Sequence, residues 1–356
     1  LNALEQLGWT PEWASAFASI DKEGLEPARV LEERKDLHRV AAARGELWAV
    51  TAGRLRHAAA GPDELPAVGD WVAVEAPAEG RSRICAVLPR RSTLMRKTAL
   101  RRTEAQVVAA NLDTVFCMTS LNRDFNPRRL ERYLALVWES GARPVVLLNK
   151  ADLCGDVEAR CTEAEALALD VPVHAVSARE GVGLDALEPH LGAGETTAVI
   201  GSSGVGKSTL INRLLGEERL TVKEIRTDDD RGRHTTTHRE LVRLPDGALL
   251  IDTPGMRELA LWEAEDGLEQ AFQDIEELAA SCRFRDCRHA VEPGCAVRTA
   301  LDDGSLDAER YAGYAKLKRE LAHLARRRSE REFLDTKRRW KRITLAMRQR
   351  PRKGFR

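Results

Sequence analysis

The order in which two short strings occur restricts this chain more than anything in its composition. "NKAD" stands at residues 149–152, and "GSSGVGKST" does not follow until residues 201–209. The second string satisfies Gly-x4-Gly-Lys-Ser and lies between the apolar run "TTAVI" and the amphipathic run "STLINRLL". That context predicts a strand, a glycine-rich turn and a helix N-terminus, where backbone amides and the helix dipole converge on phosphate oxygens. Gly201, Gly204 and Gly206 let the backbone close on the phosphates; Ser202, Ser203, Val205 and Thr209 complete the loop. Lys207 is placed to reach the β and γ phosphates, and Ser208 to ligate Mg²⁺.

A phosphate loop alone would suit an ATPase; "NKAD" argues for guanine. It closes the apolar run "PVVLLN", and the end of a buried strand is where an α/β sheet places its ligand residues. The Asp152 carboxylate pairs with the N1–H and exocyclic amine that adenine lacks. Asn149 adds hydrogen bonds at the base edge, and the Lys150 stem lies along the ring. "VSA" ends the next strand, so Ser177 and Ala178 resemble the remaining base-side loop of GTPases. "DTPG" follows the run "ALLI": Asp252 would hold Mg²⁺ through water and the Gly255 amide would sense the γ-phosphate. The polar stretch "DDDRGRHTTTHRE" between them reads as a switch segment. One of Thr235, Thr236 and Thr237 completes the Mg²⁺ shell, with Thr236 preferred. The set is complete but rotated, so the chain is expected to be a circularly permuted GTPase that binds GTP and GDP. The rotation also makes the DTPG switch run straight into the C-terminal segment. Movement of residues 252–260 is therefore expected to be passed to whatever 263–356 binds.

In Ras-like enzymes a Gln just after this switch motif orients the attacking water. Met256 stands there and cannot do so. His234, beside the threonines, is the best local substitute, a solvated loop histidine being the alternative.

The remaining pattern divides the chain into a multidomain arrangement. Residues 1–28 form a helical lead-in with Leu4, Leu7, Trp9, Trp13 and Phe17 as its apolar stripe. Residues 29–98 hold the short segments "ARVLEER", "HRVAAA", "GELWAVTAGRLRH", "GDWVAVEA" and "SRICAVLPR", expected to close into an OB-type β-barrel. An SH3-like barrel fits the same periodicity. Trp48 and Trp71 are expected to plug it. Residues 99–106 are a basic linker, within a stretch ("RRSTLMRKTALRR") that is either a solvated connector or an RNA-facing loop. Residues 107–262 alternate apolar strands with amphipathic helices, the pattern of a mostly parallel α/β sheet covered on both faces. Residues 263–356 read as mostly helical, with a basic tail.

Seven cysteines without an export signal argue against a disulfide framework. Cys282, Cys287 and Cys295 are different, because with His289 they make Cys-x4-Cys-x-His-x5-Cys in fourteen residues. Three thiolates and an imidazole are a full tetrahedral set for Zn²⁺, with no position left for water. One structural zinc per chain is expected.

No apolar run approaches the roughly 18–20 residues a membrane helix needs, and "LNALEQLGWTPEW" lacks the features of a signal peptide. A cytoplasmic protein is expected, without a membrane partner and as a monomer. The formal net charge of +0 conceals an asymmetry. Residues 311–356 carry 17 Lys or Arg against 4 Asp or Glu, a net of +13, balanced by −13 on the rest. A tail this basic points to a polyanionic partner, nucleic acid first.

Together, the permuted order, "GRHTTT", "DTPGMREL", the Cys/His array and "VGDWVAV" resemble the ribosome small-subunit-dependent GTPase A family of bacterial assembly factors. The likeness covers nearly the whole chain. It implies an N-terminal OB barrel, a central permuted P-loop GTPase and a C-terminal helical zinc domain. It also implies binding to the 30S ribosomal subunit and its 16S rRNA late in maturation, with GTP hydrolysis stimulated by the subunit. Met256 matches the family's hydrophobic residue after the switch motif, and His234 its switch histidine. Two other readings stay open: a GTP-gated RNA-binding switch with negligible catalysis, and a GTPase acting on tRNA or the large subunit.

Overall fold

A computed structural model describes residues 3–20, 23–34, 37–77, 81–97, 105–122, 125–217, 239–252 and 265–322. The basic tail expected to meet nucleic acid falls almost wholly in 323–356, outside the described residues.

The lead-in folds as a 3-10 turn, Glu5–Leu7, and helix α1, Pro11–Ala18. Five strands follow: β1 (Leu25–Arg34), β2 (Leu37–Ala42), β3 (Gly45–Thr51), β4 (Trp71–Glu75) and β5 (Ser82–Val87). Their order β1-β2-β3-β5-β4 closes by pairing β4 back onto β1, and β3 runs parallel to β5. This Greek-key closure is that of an OB barrel, not an SH3-like one. Its interior is filled by small and β-branched side chains: Ala28, Val30, Val40, Ala42, Ala49, Val72, Val74 and Ile84.

Three details depart from the expected barrel. It opens at Leu25, ahead of the boundary expected at 29. "GRLRHA", expected to continue the third strand, is instead helix α2 (Gly53–Ala58), with Leu55 packed against the barrel core. The two tryptophans do not plug the interior. Trp71 is buried on the outer side against Leu4, Trp13 and Leu88, with the Trp9 ring 4.7 Å away. Trp48 is 39% exposed, with the Arg34 guanidinium 4.9 Å from its ring centroid. A narrow barrel lined by alanine and valine has no room for an indole.

Strands β6 (Thr93–Lys97) and β7 (Ala105–Ala110) pair as a separate two-stranded ribbon beside the barrel. The α/β unit then comprises β8 (Thr114–Ser120), α3 (Pro127–Ser140), β9 (Arg143–Asn149), α4 (Val157–Leu167), β10 (Val173–Val176), β11 (Thr196–Gly201), α5 (Lys207–Leu215), β12 (Arg239–Arg243) and β13 (Leu249–Asp252). Helix boundaries follow the caps. The Asn126 side chain accepts the Arg129 amide at the start of α3, and Gly141 ends that helix in the left-handed conformation. The sheet order is β10-β9-β8-β11-β13-β12, parallel except for β12. One face packs on α3, α4 and the C-terminal helices and the other on α5, two continuous apolar layers. The C-terminal part contains α6 (Glu265–Ala271), α7 (Gln273–Ala280), α8 (Ala296–Asp302) and a helix over 308–322. No helix among the described residues is long and apolar enough to cross a membrane.

Barrel and GTPase sheet are one surface, because the far end of β1 pairs with β12, Glu32 opposite Glu240 and Glu33 opposite Arg239. Beneath this seam lies Arg29, 2% exposed. Its guanidinium donates to the carbonyls of Leu7, Gly69 (3.3 Å) and Asn111 (3.4 Å) and to the Thr196 hydroxyl (2.7 Å). Burial draws its pKa down to about 10, with Asp113 and Asp70 opposing, so it stays protonated at neutral pH. Replacing it with Met would leave the buried Asn111 carbonyl and Thr196 hydroxyl without this donor and remove the positive charge near Asp113 and Asp70. Arg29→Met is expected to lower stability by about 3 kcal/mol. The midpoint of urea unfolding measures it, and an unchanged midpoint would refute it.

Candidate nucleotide site and Cys/His centre

The parallel strands end together, so the separated motifs meet at one edge of the sheet. β9 ends on Asn149, β10 runs into Ser177, β11 ends on Gly201 and β13 on Asp252. Gly201 is required because a Cβ there would meet the Met118 carbonyl oxygen at 2.4 Å, across the β11–β8 pairing. At Gly206 φ is 108°, and a Cβ would lie 2.3 Å from Asn149 Nδ2.

Asn149 joins the two motifs directly. Its buried amide donates to the Val205 carbonyl (2.7 Å) and accepts from the Ala178 amide (2.9 Å). The side chain expected at the base edge thus spends much of its capacity holding the phosphate loop against the Ser177–Ala178 turn, with one N–H left for a ligand. Lys150, at φ 65°, extends over the same loop and donates to the Gly204 carbonyl at 2.8 Å. Lys207 donates to the carbonyls of Gly201 and Ser202, both at 2.8 Å.

Asp152 is exposed, while buried Ser177 donates to its Oδ1 at 2.6 Å and accepts the Glu180 amide at 3.2 Å. The carboxylate is oriented from behind while its other oxygen stays available. Ser203, Ser208 and Thr209 follow on the same loop and first turn of α5. The backbone of Asp252 closes β13 beside β11. Thr236, Gly255, Met256 and His234 lie outside the described residues.

The second site is assembled by the C-terminal helices. The ligand atoms of Cys282, Cys287, His289 and Cys295 all lie within 4.8 Å of one another. Cys282 Sγ is 3.9 Å from Cys295 Sγ, and His289 Nδ1 is 3.6 and 3.4 Å from those two sulfurs. Tetrahedral zinc with ordinary bond lengths requires S···S near about 3.8 Å and S···N near about 3.6 Å. The donor set and its spacing fit that ion. Burial, reinforced by Lys318, lowers the pKa of His289 and favours the neutral, ligating imidazole. Glu292 shapes the loop: its carboxylate accepts the amides of Arg288 (3.1 Å), Ala290 (2.9 Å) and Val291 (3.0 Å). Backbone donors, its own amide first, draw that carboxyl down to about 2. Neither Glu292 nor Arg213, which contacts the base-side turn, carries a motif by which sequence reasoning could find it. An acidic residue in a turn and an arginine on a helix are common.

With this geometry in place, comparison with known proteins is direct. The family described as RsgA GTPase matches residues 87–262, and one described as 50S ribosome-binding GTPase matches residues 196–329. The Small ribosomal subunit biogenesis GTPase RsgA of Opitutus terrae is 48% identical over 365 aligned positions, covering 98% of each chain. The crystal structure of YjeQ from Thermotoga maritima superposes with a TM-score of 0.63 at 26% identity, covering 84% of this chain and 99% of that one. YloQ, described as a circularly permuted GTPase, shares the fold at a TM-score of 0.61 and 24% identity, covering 85% and 97%.

A methyl group at Gly206 would collide with Asn149 and strain the backbone. Gly206→Ala should therefore weaken guanine nucleotide binding at least tenfold, about 1.4 kcal/mol. Titration with a fluorescent nucleotide reads this, and undiminished affinity would show that the Asn149 contact does not hold the loop.

Proposed function

The chain belongs to the RsgA GTPase family, and from that premise we propose that it hydrolyses GTP during late maturation of the 30S ribosomal subunit, stimulated by that subunit. The observation that carries the reading is Asn149. Its bonds to Val205 and Ala178 tie base-side and phosphate-side motifs into one site despite their reversed order.

In this reading Asp152 selects guanine, held in place by Ser177, and Lys150 covers the base. The amides of residues 201–206 and the Lys207 ammonium hold the phosphates. Ser208, Thr236 and Asp252 position Mg²⁺, which when bound neutralises charge on the β and γ phosphates. Gly255 senses the γ-phosphate. Met256 supplies no water-orienting amide at this position, so His234 is assigned that role when the partner docks.

The partner is 16S rRNA on the small subunit, in the cytoplasm. The relatives' printed names speak for the subunit. The tail's net +13 against −13 elsewhere supports docking through phosphate contacts. The match to a description naming the 50S particle makes the large subunit the competing partner. The Cys/His centre holds structural zinc: its four protein ligands leave no coordination position for chemistry.

Two experiments test this reading. Separated subunits are mixed with the protein, and GTP turnover and co-sedimentation are followed. Mature 30S should accelerate hydrolysis and 50S should not, the acceleration fading as salt rises. His234→Ala should remove about a hundredfold of the stimulated rate and leave nucleotide binding intact. A full response in that variant would move the catalytic group to the ribosome. Metal analysis should find one zinc per chain, lost in Cys287→Ala together with the cooperative unfolding of residues 265–310. Zinc-free protein of unchanged stability would refute the structural role.

A further inference from the structure

The base-side turn is held from a second direction, by an arginine on the phosphate helix. Residues 177–182 close on themselves: Ser177 N donates to the Val182 carbonyl at 2.9 Å, and Gly181 N to the Ser177 carbonyl at 2.8 Å. This compact turn carries both Ser177, which orients Asp152, and Ala178, which bonds Asn149. From α5, Arg213 extends its guanidinium onto the outer side of the turn. Nη2 donates to the Arg179 carbonyl at 2.6 Å, and Nε approaches the Ala178 carbonyl at 3.5 Å. Gly181, at φ 77°, places its α-carbon so that a Cβ would sit 3.6 Å from the same guanidinium, which therefore lies flat against the turn.

α5 is the helix whose N-terminus forms the phosphate loop, and Arg213 lies near its other end, before Gly216. We infer that Arg213 is a positioning residue for base selection, fixing the guanine-side turn at a set distance from the phosphates. The chemistry favours arginine here. Two successive carbonyls facing one way need two donors in a fixed fork, which a planar guanidinium supplies and an ammonium supplies poorly. Both bonds are made to backbone carbonyls of the turn, so Arg213 is assigned a supporting role and no direct contact with base or phosphate. It acts by holding Ser177, and through it the Asp152 carboxylate, in the position that accepts the neutral N1–H and amine donors of guanine. Asn149 secures the inner side of the turn and Arg213 its outer side. Loss of Arg213 should loosen the base end of the site and leave the phosphate end unaffected.

The inference rests on the proposed reading of Asp152 as the guanine selector, and the test separates the two. Full-length wild type, Arg213→Met and Arg213→Lys are titrated with GDP, IDP (which lacks the exocyclic amine) and ADP, and with pyrophosphate as competitor. Thermal unfolding is followed in parallel. If wild type binds GDP and ADP alike, the guanine reading itself fails. If wild type discriminates, Arg213→Met should lose about five- to tenfold of its preference for GDP over IDP and ADP. Its pyrophosphate affinity should stay within about twofold of wild type. Arg213→Lys should recover part of the preference. Unchanged preference in Arg213→Met, or equal losses for GDP and pyrophosphate, would overturn the inference. Should Arg213→Met fail to fold, Arg213→Lys alone decides: reduced preference at wild-type pyrophosphate affinity supports the inference, and full preference refutes it.

Discussion

Arg29 is the point on which the architecture turns. A permuted GTPase begins at a strand that would ordinarily lie mid-chain, so its sheet needs another anchor for the phosphate-loop strand and the edge beyond it. Arg29 supplies one by bonding Leu7 of the lead-in, Gly69 of the barrel, Asn111 before β8 and Thr196 at the start of β11. Burying a guanidinium costs several kcal/mol before any bond is made. That cost is offset in part because its bonds to Gly69, Asn111 and Thr196 are made inside the protein, where the acceptors are buried too. Gly69 is held to the same spot, since a Cβ on it would lie 2.2 Å from the Ala110 carbonyl. The barrel is thus locked to the GTPase at the root of the phosphate loop. A half-buried cluster completes the seam, with Arg39 pairing Glu32 (3.2 Å), Glu46 (2.8 Å) and Glu240. The exposed pair with Glu46 contributes little stability by comparison.

This arrangement has a consequence for the switch. β12 begins at Arg239, where residues 232–237 ("GRHTTT") lead in, and β12 is the strand that β1 of the barrel pairs with. A strain applied at the start of β12 is therefore carried by main-chain hydrogen bonds into β1, the longest strand of the barrel. The barrel thus shares one sheet with the strand that follows this segment.

How much of this was legible follows from where each signal resides. The nucleotide motifs could be placed because each combines a short string with a strand end. All strand ends predicted to carry described motifs do so: Asn149 on β9, Ser177 after β10, Gly201 on β11 and Asp252 on β13. The four metal-type ligands were legible from spacing alone. The double role of β1 was not, because its alternating residues look the same whether a strand closes a barrel, extends a second sheet or does both. Trp48 and Trp71 were misplaced because periodicity gives the face of a strand but not the radius of the barrel it bends into. Arg29, Arg213 and Glu292 were invisible for a shared reason. Each acts mainly through backbone carbonyls or amides, and backbone partners leave no trace in side-chain sequence.

The C-terminal helices bear on transmission. Movement of residues 252–260, of which 253–260 lie outside the described residues, was expected to be passed to whatever 263–356 binds. Yet α6 is pressed so closely on α3 that a Cβ at Gly267 would meet the Ala135 carbonyl at 2.2 Å. Behind it, buried Arg310 pairs with Asp274 through two bonds (2.7 and 2.8 Å) and reaches Glu131 of α3 at 3.4 Å. Breaking such a buried network costs several kcal/mol. The geometry instead favours a domain that rides with α3. α3 leads into β9 and so to Asn149, which places the Cys/His centre in register with the base-side half of the site.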